Sequence, residues 1–436
     1  MTINAKHKRL NVLHVATINK PIKSDIVYAP LETIIHNIHK GLQSLGHRSI
    51  VACSADSRTT GEQYVTVQRS LGDYCSLDTP VRRNIVMMHL SRALKRATMG
   101  DIDIIHMHEW LDYIYDGVFN PPLPIVMTLH VPANNSVVNK SQQWWCKPLP
   151  DSSLYYVAIS DYQKREYSGL VDVCKTIHHG IEVEEFPSKE KPDKGNYLFT
   201  IGRVSQIKGQ DKAIELAHKT CSKLIIAGCV QNKPADKEFF EGLKGSIDLF
   251  VDIGKHPVDK DYYGKVMKPL LDCDKKIIYI GELDDEQKKQ WYLHARATLF
   301  PIQWGEPFGL VLIESMACGT PILAFKEGAV PEIVVDGKTG FIVDSLSDMI
   351  GAVDRIDRID PHDCRKHVQN HFSITNMANT YSELYQQIVC DYPYKTAEVG
   401  LLTDHPSKPV PLGSHAALGT HAQRHSGKQR QSPIQF

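Results

Sequence analysis

Apolar residues recur along the first part of the chain in a pattern typical of alternating strands and helices. One amphipathic segment, Leu31–Leu45, repeats apolar residues every three or four positions and is followed by Gly46, which predicts a helix that ends there. Around it lie short, continuously apolar runs that predict buried strands: Asn11–Ala16, Ser49–Cys53, Asp103–Met107, Pro124–His130 and Leu154–Ser160. Apolar strands separated by helices are typical of a parallel sheet covered on both faces.

The same pattern restarts after a polar stretch, Pro187–Asn196, that has the composition of a linker. The second set of apolar runs is Tyr197–Gly202, Lys223–Gly228, Lys276–Gly281, Ala297–Ile302 and Pro321–Phe325. We therefore predict an α/β protein of two Rossmann-like parallel-sheet domains, residues 1–190 and 191–376, that face a central cleft. Ligands of such folds bind at the carboxyl ends of the strands, which places the predicted site in that cleft.

Two further segments depart from this alternation. Residues 231–260 are polar and predict a surface insertion with some helix. Residues 393–436 are rich in Pro, His, Ser, Gly and Gln, which predicts a disordered tail. The histidines of the tail are irregularly spaced, so a solvated tail is favoured over a metal site.

Charge is balanced over the whole chain but not along it. Formal net charge is +0, whereas residues 1–100 hold 14 Lys and Arg against six Asp and Glu. A basic first half is compatible with an anionic substrate, with a weak peripheral membrane contact, or simply with a solvated charged face. The basic stretch Arg82–Arg96, with apolar Ile85, Met88 and Leu94, carries the membrane alternative.

The ten cysteines and the hydropathy of the chain predict its compartment. No Cys-x-x-Cys pair occurs, the first nine residues are polar, and no run of about 18 apolar residues is present. The expectation is a cytoplasmic protein with reduced thiols and no membrane-spanning segment.

The segment Gly305–Gly319 is the most informative for chemistry. Pro307 suits the first turn of a helix, which would place Glu306 just before the helix and Glu314 two turns into it. The amides of Phe308, Gly309 and Leu310 would then form an anion site at the helix start. A rise of about 12 Å between the carboxylates exceeds the roughly 5–9.5 Å of a glycosidase pair and fits two contacts to one long ligand. A capping Glu306 with a surface Glu314 remains the alternative.

A second segment, Ile201–Gln210, follows a predicted strand and precedes a predicted helix at Asp211–His218. Gly202 lies at the end of the strand, and Arg203 and Lys208 lie at the two ends of the short loop that follows. Two cations at the carboxyl end of a strand can neutralise the charge of a departing diphosphate. An Arg and a Lys that are simply solvated at the surface would give the same sequence pattern. The phosphate-binding pattern Gly-x4-Gly-Lys-Ser/Thr is absent.

Taken together, these segments resemble a known family. GRVSQIKG, the Glu306-x7-Glu314 motif and the pattern from Ala317 to Val343 resemble the retaining family 4 glycosyltransferases of the GT-B fold, in the superfamily of glycogen synthases and mannosyltransferases. Thr128–His130, Val157–Ser160 and His371–Tyr385 match further family segments in the same order. The resemblance covers about residues 10–390.

The resemblance implies roles for individual residues. His130, Arg203, Lys208 and Glu306 are the implied catalytic residues; the implied donor-binding residues are Gly202, Gly281, Glu282, Leu283, Phe308, Gly309, Leu310 and Glu314. In the family a last helix crosses back to the first domain, and residues 377–392 match it. The implied chemistry needs no metal and no cofactor.

The sequence also departs from the family. Many relatives have two adjacent glycines before the first helix, where this chain has Tyr28–Glu32, with Ala29 and Pro30 in place of residues that allow close backbone approach. His179 stands where an Asn is usual. We interpret His106, His108 and His178 as core or loop histidines, and Trp144–Trp145 either as an acceptor-stacking pair or as a partly buried pair.

The resulting hypothesis is a retaining, metal-independent hexosyltransferase. It would move a hexose from a nucleotide-diphosphate sugar to an unknown acceptor hydroxyl. UDP-glucose or another UDP-hexose is the favoured donor, and a GDP-sugar is the second choice. Nucleic acid is not an expected partner. A non-catalytic nucleotide-sugar-binding protein and a nucleotide-sugar epimerase of the same fold are the alternatives.

Overall fold

The chain folds around two parallel sheets of seven strands each. The computed structural model describes residues 8–23, 29–72, 79–109, 123–133, 154–188 and 196–392. The strands of the first sheet are β1 (Asn11–Val15), β2 (Arg48–Ser54), β3 (Glu62–Val67), β4 (Ile104–Met107), β5 (Ile125–Leu129), β6 (Leu154–Ala158) and β7 (Val173–Thr176). Those of the second are β8 (Tyr197–Ile201), β9 (Lys223–Ala227), β10 (Leu249–Phe250), β11 (Ile277–Tyr279), β12 (Ala297–Phe300), β13 (Ile322–Phe325) and β14 (Gly340–Val343).

Helices lie between the strands, as a parallel sheet requires. They are α1 (Pro30–Ser44), α2 (Thr79–Ala97), α3 (Asp161–Glu166), α4 (Gln210–Lys219), α5 (Pro234–Leu243), α6 (Lys268–Asp272), α7 (Asp285–His294), α8 (Leu310–Ala317), α9 (Val330–Ile333), α10 (Leu346–Val353), α11 (Pro361–His371) and α12 (Ile374–Asp391).

The two sheets have closely related strand orders. The first runs β3-β2-β1-β4-β5-β6-β7 and the second β10-β11-β9-β8-β12-β13-β14, with every pair parallel. In each sheet the strand order reverses beside the first strand of the domain, β1 or β8. Such a reversal opens a crevice at the carboxyl ends of the strands. The predicted fold, two Rossmann-like sheets in the GT-B arrangement, is confirmed.

The strands and helices that the apolar pattern predicts for the two sheets occur at the predicted positions. The helix expected at Leu31–Leu45 is α1, with Pro30 at its start and Ile34, Ile35 and Ile38 buried on the core face. Gly46 follows it with φ of 85°, a left-handed conformation that ends the helix without a Cβ penalty. The 231–260 insertion contains α5 and the edge strand β10, which extends the second sheet.

The last helix, α12, packs on the first sheet although it follows the second in sequence. Ser373 caps it by accepting a hydrogen bond from the Asn376 amide. Its buried face joins a core cluster of the first sheet and α1: Leu10, Val12, Ile34, Ile38, Leu42, Ile104, Val126, Met377, Tyr381, Tyr385 and Ile388. A Cβ on Gly41 of α1 would lie 2.6 Å from the Ala378 Cβ, so glycine permits this close helix packing.

A carboxylate of the second half caps a helix of the first half. Glu332 in α9 accepts hydrogen bonds from the backbone amides of Asp161 (2.7 Å) and Tyr162 (2.5 Å) at the amino end of α3, and lies 3.3 Å from His178 Nε2. Burial raises the pKa of Glu332, but these hydrogen bonds outweigh it and lower the pKa overall. The negative charge of Glu332 therefore links α9 of the second half to α3 of the first.

One predicted boundary is wrong. The helix after Gly305 begins at Leu310 and not at Pro307, because Gly309 has φ of 93° and ψ of 70°, a left-handed conformation that an α-helix cannot contain. Glu306 and Pro307 therefore lie in a loop. Tyr28, Trp144, Trp145, the 190/191 boundary and the tail fall outside the described residues. In the part of the chain that is described, no helix has the length and apolarity to cross a membrane.

Candidate functional site

A cavity lies where the first turn of α1 faces the carboxyl ends of the strands in the second sheet. The first domain contributes Ala29, Pro30 and Thr33 to its lining. The remaining lining residues come from the second domain: Ile201, Gly202, Gly228, Cys229, Glu282, Leu283, Asp285, Lys288, Tyr292, Leu310, Val311 and Glu314. Residues from both halves of the chain therefore line one cavity, at the carboxyl ends of the strands, where the strand pattern predicted a site.

Two glycines bring the turns after β8 and β9 together at the floor of this cavity. Gly202 and Gly228 have φ of 152° and 145°, and a Cβ on Gly228 would lie 1.7 Å from the Gly202 carbonyl oxygen. Only glycine fits that contact. The result is a backbone surface without side chains, to which a ligand can approach closely.

Lys208 contacts Glu306 between the loop after β8 and the loop before α8. Lys208 ends a 3-10 turn after β8, and its Nζ lies 2.5 Å from Oε2 of Glu306. The indole Nε1 of Trp304 donates to the same oxygen at 3.0 Å, and Lys208 Nζ lies 5.3 Å from the centre of the Trp304 ring. The loop after β8 and the loop before α8 are thus joined by a charged pair that is about four-fifths buried.

Arg203 is directed away from this pair. Its Nη1 donates to Oε1 of Gln231 at 3.2 Å, and its Nε lies 3.8 Å from Oδ2 of Asp236 at the start of α5. The 231–260 insertion therefore contacts Arg203 in the ligand-free structure. The two predicted diphosphate cations leave the same strand end, but they contact different neighbours.

The amino end of α8 meets the cavity through Leu310 and Val311. Amides of a first helical turn have no acceptor within the helix, so these N–H groups are available to an anion. The left-handed Gly309 lets the chain turn sharply into the helix. Phe308, 3% exposed, anchors the loop by packing against the rings of His179 (4.9 Å) and Phe372 (6.1 Å).

Glu314 faces the cavity from the second turn of α8. Its Oε1 accepts from Lys288 Nζ at 2.7 Å and its Oε2 from the Tyr292 hydroxyl at 3.1 Å. Lys288 also contacts Asp285 at 2.9 Å. Burial lowers the pKa of Lys288, but the two carboxylates outweigh it and raise the pKa, so the cation is held charged. The carboxylate of Glu314 is therefore fixed in place by α7.

The loop Gly281–Leu283 divides the cavity from an adjoining open pocket. Gly281 has φ of 81°, and Glu282 borders both spaces. The outer pocket has an aromatic wall, with the rings of Phe240 and Phe250 5.0 Å and 6.1 Å from that of Tyr279. Two of these rings belong to the insertion, so the insertion builds part of the surroundings of the site.

His130 ends a row of imidazoles on one face of the first sheet. It follows β5, and its Nε2 lies 3.1 Å from Nδ1 of His108; Nε2 of His108 lies 3.3 Å from Nδ1 of His14 on β1. The ring of His179 stacks on His130 with centres 5.8 Å apart. His179 in turn contacts Phe308, so the row reaches the loop before α8.

Burial keeps these imidazoles neutral. It lowers the pKa values of His14, His106, His108 and His179 well below the usual range and that of His130 to about 3, with neighbouring imidazoles adding to the effect in all but His130. Neutral rings offer one donor and one acceptor nitrogen each. The row can therefore carry directed hydrogen bonds.

Three of these histidines also have the spacing of metal ligands. Nitrogens of His14, His106 and His108 lie within 4.8 Å of one another. However, His106 Nδ1 lies 2.6 Å from the Tyr385 hydroxyl and its Nε2 2.8 Å from Thr128 Oγ1. Both nitrogens of His106 are therefore already in hydrogen bonds, which leaves it without an open ligand position.

The structure places six of the twelve residues singled out from the sequence at or beside the cavity. Gly202, Glu282, Leu283, Leu310 and Glu314 line the cavity, and Gly281 lies beside it. Lys208 and Glu306 form a pair, whereas His130 and Phe308 meet only through His179. Lys288, Tyr292 and Asp285 also line the cavity but were not predicted, although the DDEQKKQ segment directly follows the Gly281–Leu283 loop.

Two family models match the chain, one in each half. Residues 31–185 match the model described as Glycosyltransferase Family 4, and residues 182–363 match that of Glycosyl transferases group 1. Among curated relatives, a phosphatidyl-myo-inositol mannosyltransferase of Mycobacterium leprae is 24% identical over 266 residues, 58% of this chain and 63% of the relative. A D-inositol 3-phosphate glycosyltransferase of an Arthrobacter species is 24% identical over 61% of this chain and 64% of the relative. The chain thus spans about three fifths of each.

Solved structures show the same fold. Sucrose-phosphate synthase from Thermosynechococcus elongatus superposes with a TM-score of 0.65 at 16% identity, covering 88% of this chain and 100% of that protein. HepE from Anabaena, solved with UDP-glucose, superposes with a TM-score of 0.62 at 13% identity, covering 87% and 100%. The two family matches adjoin and together cover residues 31–363, so this chain belongs to the glycosyltransferases whose first half matches family 4 and whose second half matches group 1.

Proposed function

We propose that this protein transfers a hexose from a nucleotide-diphosphate sugar to an acceptor hydroxyl with retention of anomeric configuration. The observation that carries the proposal is the two-domain cavity in which Gly202, the amino end of α8 and Glu314 converge. A bare backbone turn, outward amides and a fixed carboxylate suit the diphosphate and the ribose of one extended donor. In this proposal residues 1–190 form the acceptor side, residues 191–376 hold the donor and residues 377–392 are the crossover helix.

The diphosphate would lie between Lys208 and the amides of Leu310 and Val311. Lys208 follows β8, at whose end Gly202 lines the cavity, and it is paired with Glu306, which it would leave or share in order to pair with a phosphate oxygen. Arg203 would have to leave Gln231 to join it. Cations and oriented amides stabilise charge that develops on a leaving group, which is the main catalytic demand here.

The ribose would be held by Glu314. A carboxylate that is buried and fixed by Lys288 and Tyr292 is preorganised to accept hydrogen bonds from adjacent hydroxyls. The nucleobase would then lie beside Gly281–Leu283. We favour a UDP-hexose such as UDP-glucose over a GDP-sugar.

The reaction needs no covalent enzyme intermediate. The acceptor hydroxyl attacks the anomeric carbon on the face from which the diphosphate leaves, the bond from that carbon to the phosphate oxygen breaks, and the acceptor proton passes to that oxygen. Glu306 and His130 would contact the hexose. The basic charge of residues 1–100 favours an anionic acceptor, and the names of the two inositol-linked relatives suggest inositol phosphates as the first compounds to test.

The test begins with the donor. Thermal shifts measured with UDP-glucose, UDP-galactose, GDP-mannose and free UDP should identify a nucleotide sugar that stabilises the protein by mass action. The stabilising donor is then incubated with inositol phosphates and other acceptors. The products are analysed by mass spectrometry for transfer and by proton NMR for the sugar and its anomeric configuration. A glycoside of retained configuration is expected; donor binding without transfer would favour a binding protein, and an isomerised donor without acceptor would favour an epimerase.

A further inference from the structure

The row of imidazoles crosses the carboxyl edge of the first sheet in a regular way. His14 on β1 pairs in register with His106 on β4, and His108 and His130 directly follow β4 and β5. Alternation along a strand places residues two apart on the same face, so His106 and His108 share a face. Three of the rings, His14, His108 and His130, are joined by nitrogen–nitrogen contacts of 3.3 Å and 3.1 Å.

A chain of three neutral imidazoles has only two arrangements of its protons. Either each ring carries its proton on Nδ1 and donates toward His130, or each carries it on Nε2 and donates toward His14. The first leaves an N–H at Nδ1 of His130. The second leaves a bare lone pair there and an N–H at Nε2 of His14.

The surroundings of His14, at one end of the hydrogen-bond chain, decide between these two arrangements of protons. His14 is 0% exposed, and its Nε2 has no hydrogen-bond partner among the described residues. In protein backbones a buried N–H group without an acceptor is rarer than an under-satisfied carbonyl, and we apply the same order to the imidazole. The proton of His14 therefore belongs on Nδ1, where it is donated to His108, and this fixes the direction of the whole chain.

His106 does not compete for this chain. Its two nitrogens are in hydrogen bonds with Tyr385 of α12 and Thr128 of β5, and Thr128 also contacts the Tyr381 hydroxyl at 2.8 Å. This separate network packs against the chain, with ring centres of His106 and His108 4.0 Å apart. It supports the rings without supplying a proton to them.

We propose that His14, His108 and His130 form a one-way hydrogen-bond chain in which His14 and His108 are positioning residues that hold His130 in its Nδ1–H form. Nε2 of His130 is occupied by His108, so Nδ1 is the nitrogen left for a ligand. His130 would then act only as a donor, toward an oxygen of a sugar hydroxyl or of a phosphate. The hydrogen bond from His130 to a ligand rests on the proposed function, whereas the arrangement of protons in the three rings does not.

The proton arrangement is tested in the ligand-free, full-length protein by NMR with 15N-labelled histidine. His130 is assigned by comparison with His130→Gln. We expect a protonated Nδ1 and an unprotonated Nε2 for His14, His108 and His130, opposite to the form that free imidazole side chains favour. Protonation of Nε2 in His130, or a charged ring at pH 7, would overturn the proposal.

Two substitutions of the middle ring separate positioning from packing. In His108→Asn the amide can replace Nδ1 and still donate to His130, whereas in His108→Gln it can replace only Nε2, on the side of His14. We expect His108→Asn to retain the Nδ1–H form of His130, and His108→Gln to lose it together with about tenfold in kcat/KM, the value of one hydrogen bond. Equal spectra for both variants would refute the chain.

The control is His89→Gln. His89 is also 0% exposed, but it contacts Thr66 and the Ala16 carbonyl outside the chain, so the tautomer of His130 should not change. Titration with Zn²⁺ gives a further check. Tight binding of one equivalent that moves the resonances of His14, His106 and His108 together would mean a metal site in place of the chain.

Discussion

Lys208 and Glu306, 98 positions apart in sequence, form a charge-assisted hydrogen bond of 2.5 Å. The pair joins the loop after β8 to the loop before α8. The lysine is thereby held in place with its charge paired. The pair is a structural link, and in the proposed function its lysine would contact a phosphate.

Loss of this cation should impair transfer strongly. We expect Lys208→Ala to reduce kcat/KM by about 10²–10³-fold, by analogy with removal of one donor that stabilises developing negative charge. Initial rates with a saturating acceptor and varied donor measure the effect. The control is Lys212→Ala, in which an α4 lysine that contacts Asp211 and Glu215 is removed, and which should retain native kinetics. A Lys208→Ala enzyme within threefold of native would contradict the assignment.

Replacement of Glu314 should weaken donor binding and also lower stability. In Glu314→Gln the ribose would lose a charged acceptor, and Lys288 would lose one of its two carboxylate partners, at a cost of about 1.5–3 kcal/mol. Calorimetry with the donor and chemical unfolding measure the two effects separately.

The double variant Lys288→Met/Glu314→Gln distinguishes the effect of Glu314 on donor binding from its effect on stability. Removal of the buried cation together with its partner should restore much of the stability, because no unpaired charge remains. Donor affinity should stay low. Recovery of affinity in the double variant would mean that Glu314 does not contact the donor.

Buried histidines should make the fold sensitive to acid. Burial lowers the pKa values of His39 and His89 to about 4, with His36 adding to the effect at His39, whereas the unfolded chain takes up these protons below a pH of about 6.5. The unfolded state then binds more protons, so stability falls as the pH decreases from 6.5 toward 4. Each such histidine adds a slope of up to about 1.4 kcal/mol per pH unit.

Urea unfolding between pH 7.5 and 5 measures this slope. His89→Gln should show a smaller slope than the native protein, by up to the contribution of one histidine, whatever its effect on absolute stability. Stability that stays constant over this range would show that the imidazoles are not held neutral by the fold.

The contact between α1 and α12 should respond to a single methyl group. A Cβ on Gly41 would lie 2.6 Å from Ala378 Cβ and 2.8 Å from Ile374 Cγ2, so Gly41→Ala forces the helices apart and should destabilise the protein by about 1–3 kcal/mol. Gly351→Ala is the matched control, because a Cβ there meets nothing within 4 Å, and it should be neutral or stabilising by up to about 1 kcal/mol. Equal unfolding midpoints for the two variants would contradict this packing.

The sequence contained the fold more clearly than the details of the site. Local patterns of this kind are the continuous apolar run Pro124–His130 and the apolar repeat of α1 that stops at Gly46. The structure has the corresponding strand and helix within a few residues of the predicted bounds. Short edge strands such as β10 were missed, because two residues at a sheet edge carry no period of their own. The start of α8 was misplaced, because Pro307 favours a helix and only the backbone conformation of Gly309 shows that the helix begins later.

The partners of the site residues could not be predicted for a similar reason. Glu314 and Lys288 lie 26 positions apart, and their contact depends on the packing of α7 against α8. The interpretation of His106 and His108 as core histidines agrees with their burial. The nitrogen contacts that link His108 to His14 and His130 depend on which strands are neighbours in the sheet, and that order is not written in any one segment.

The crossing of α12 has a consequence for how the chain can be divided. By sequence this helix follows the second sheet, yet its apolar face covers Leu10, which precedes β1, and Ile34, Ile38 and Leu42 of α1. A fragment that ended at the linker would leave those residues in water, and a fragment that began there would carry an unmatched apolar helix. The two halves therefore depend on each other for folding, and the first becomes complete only when the last helix has been synthesised.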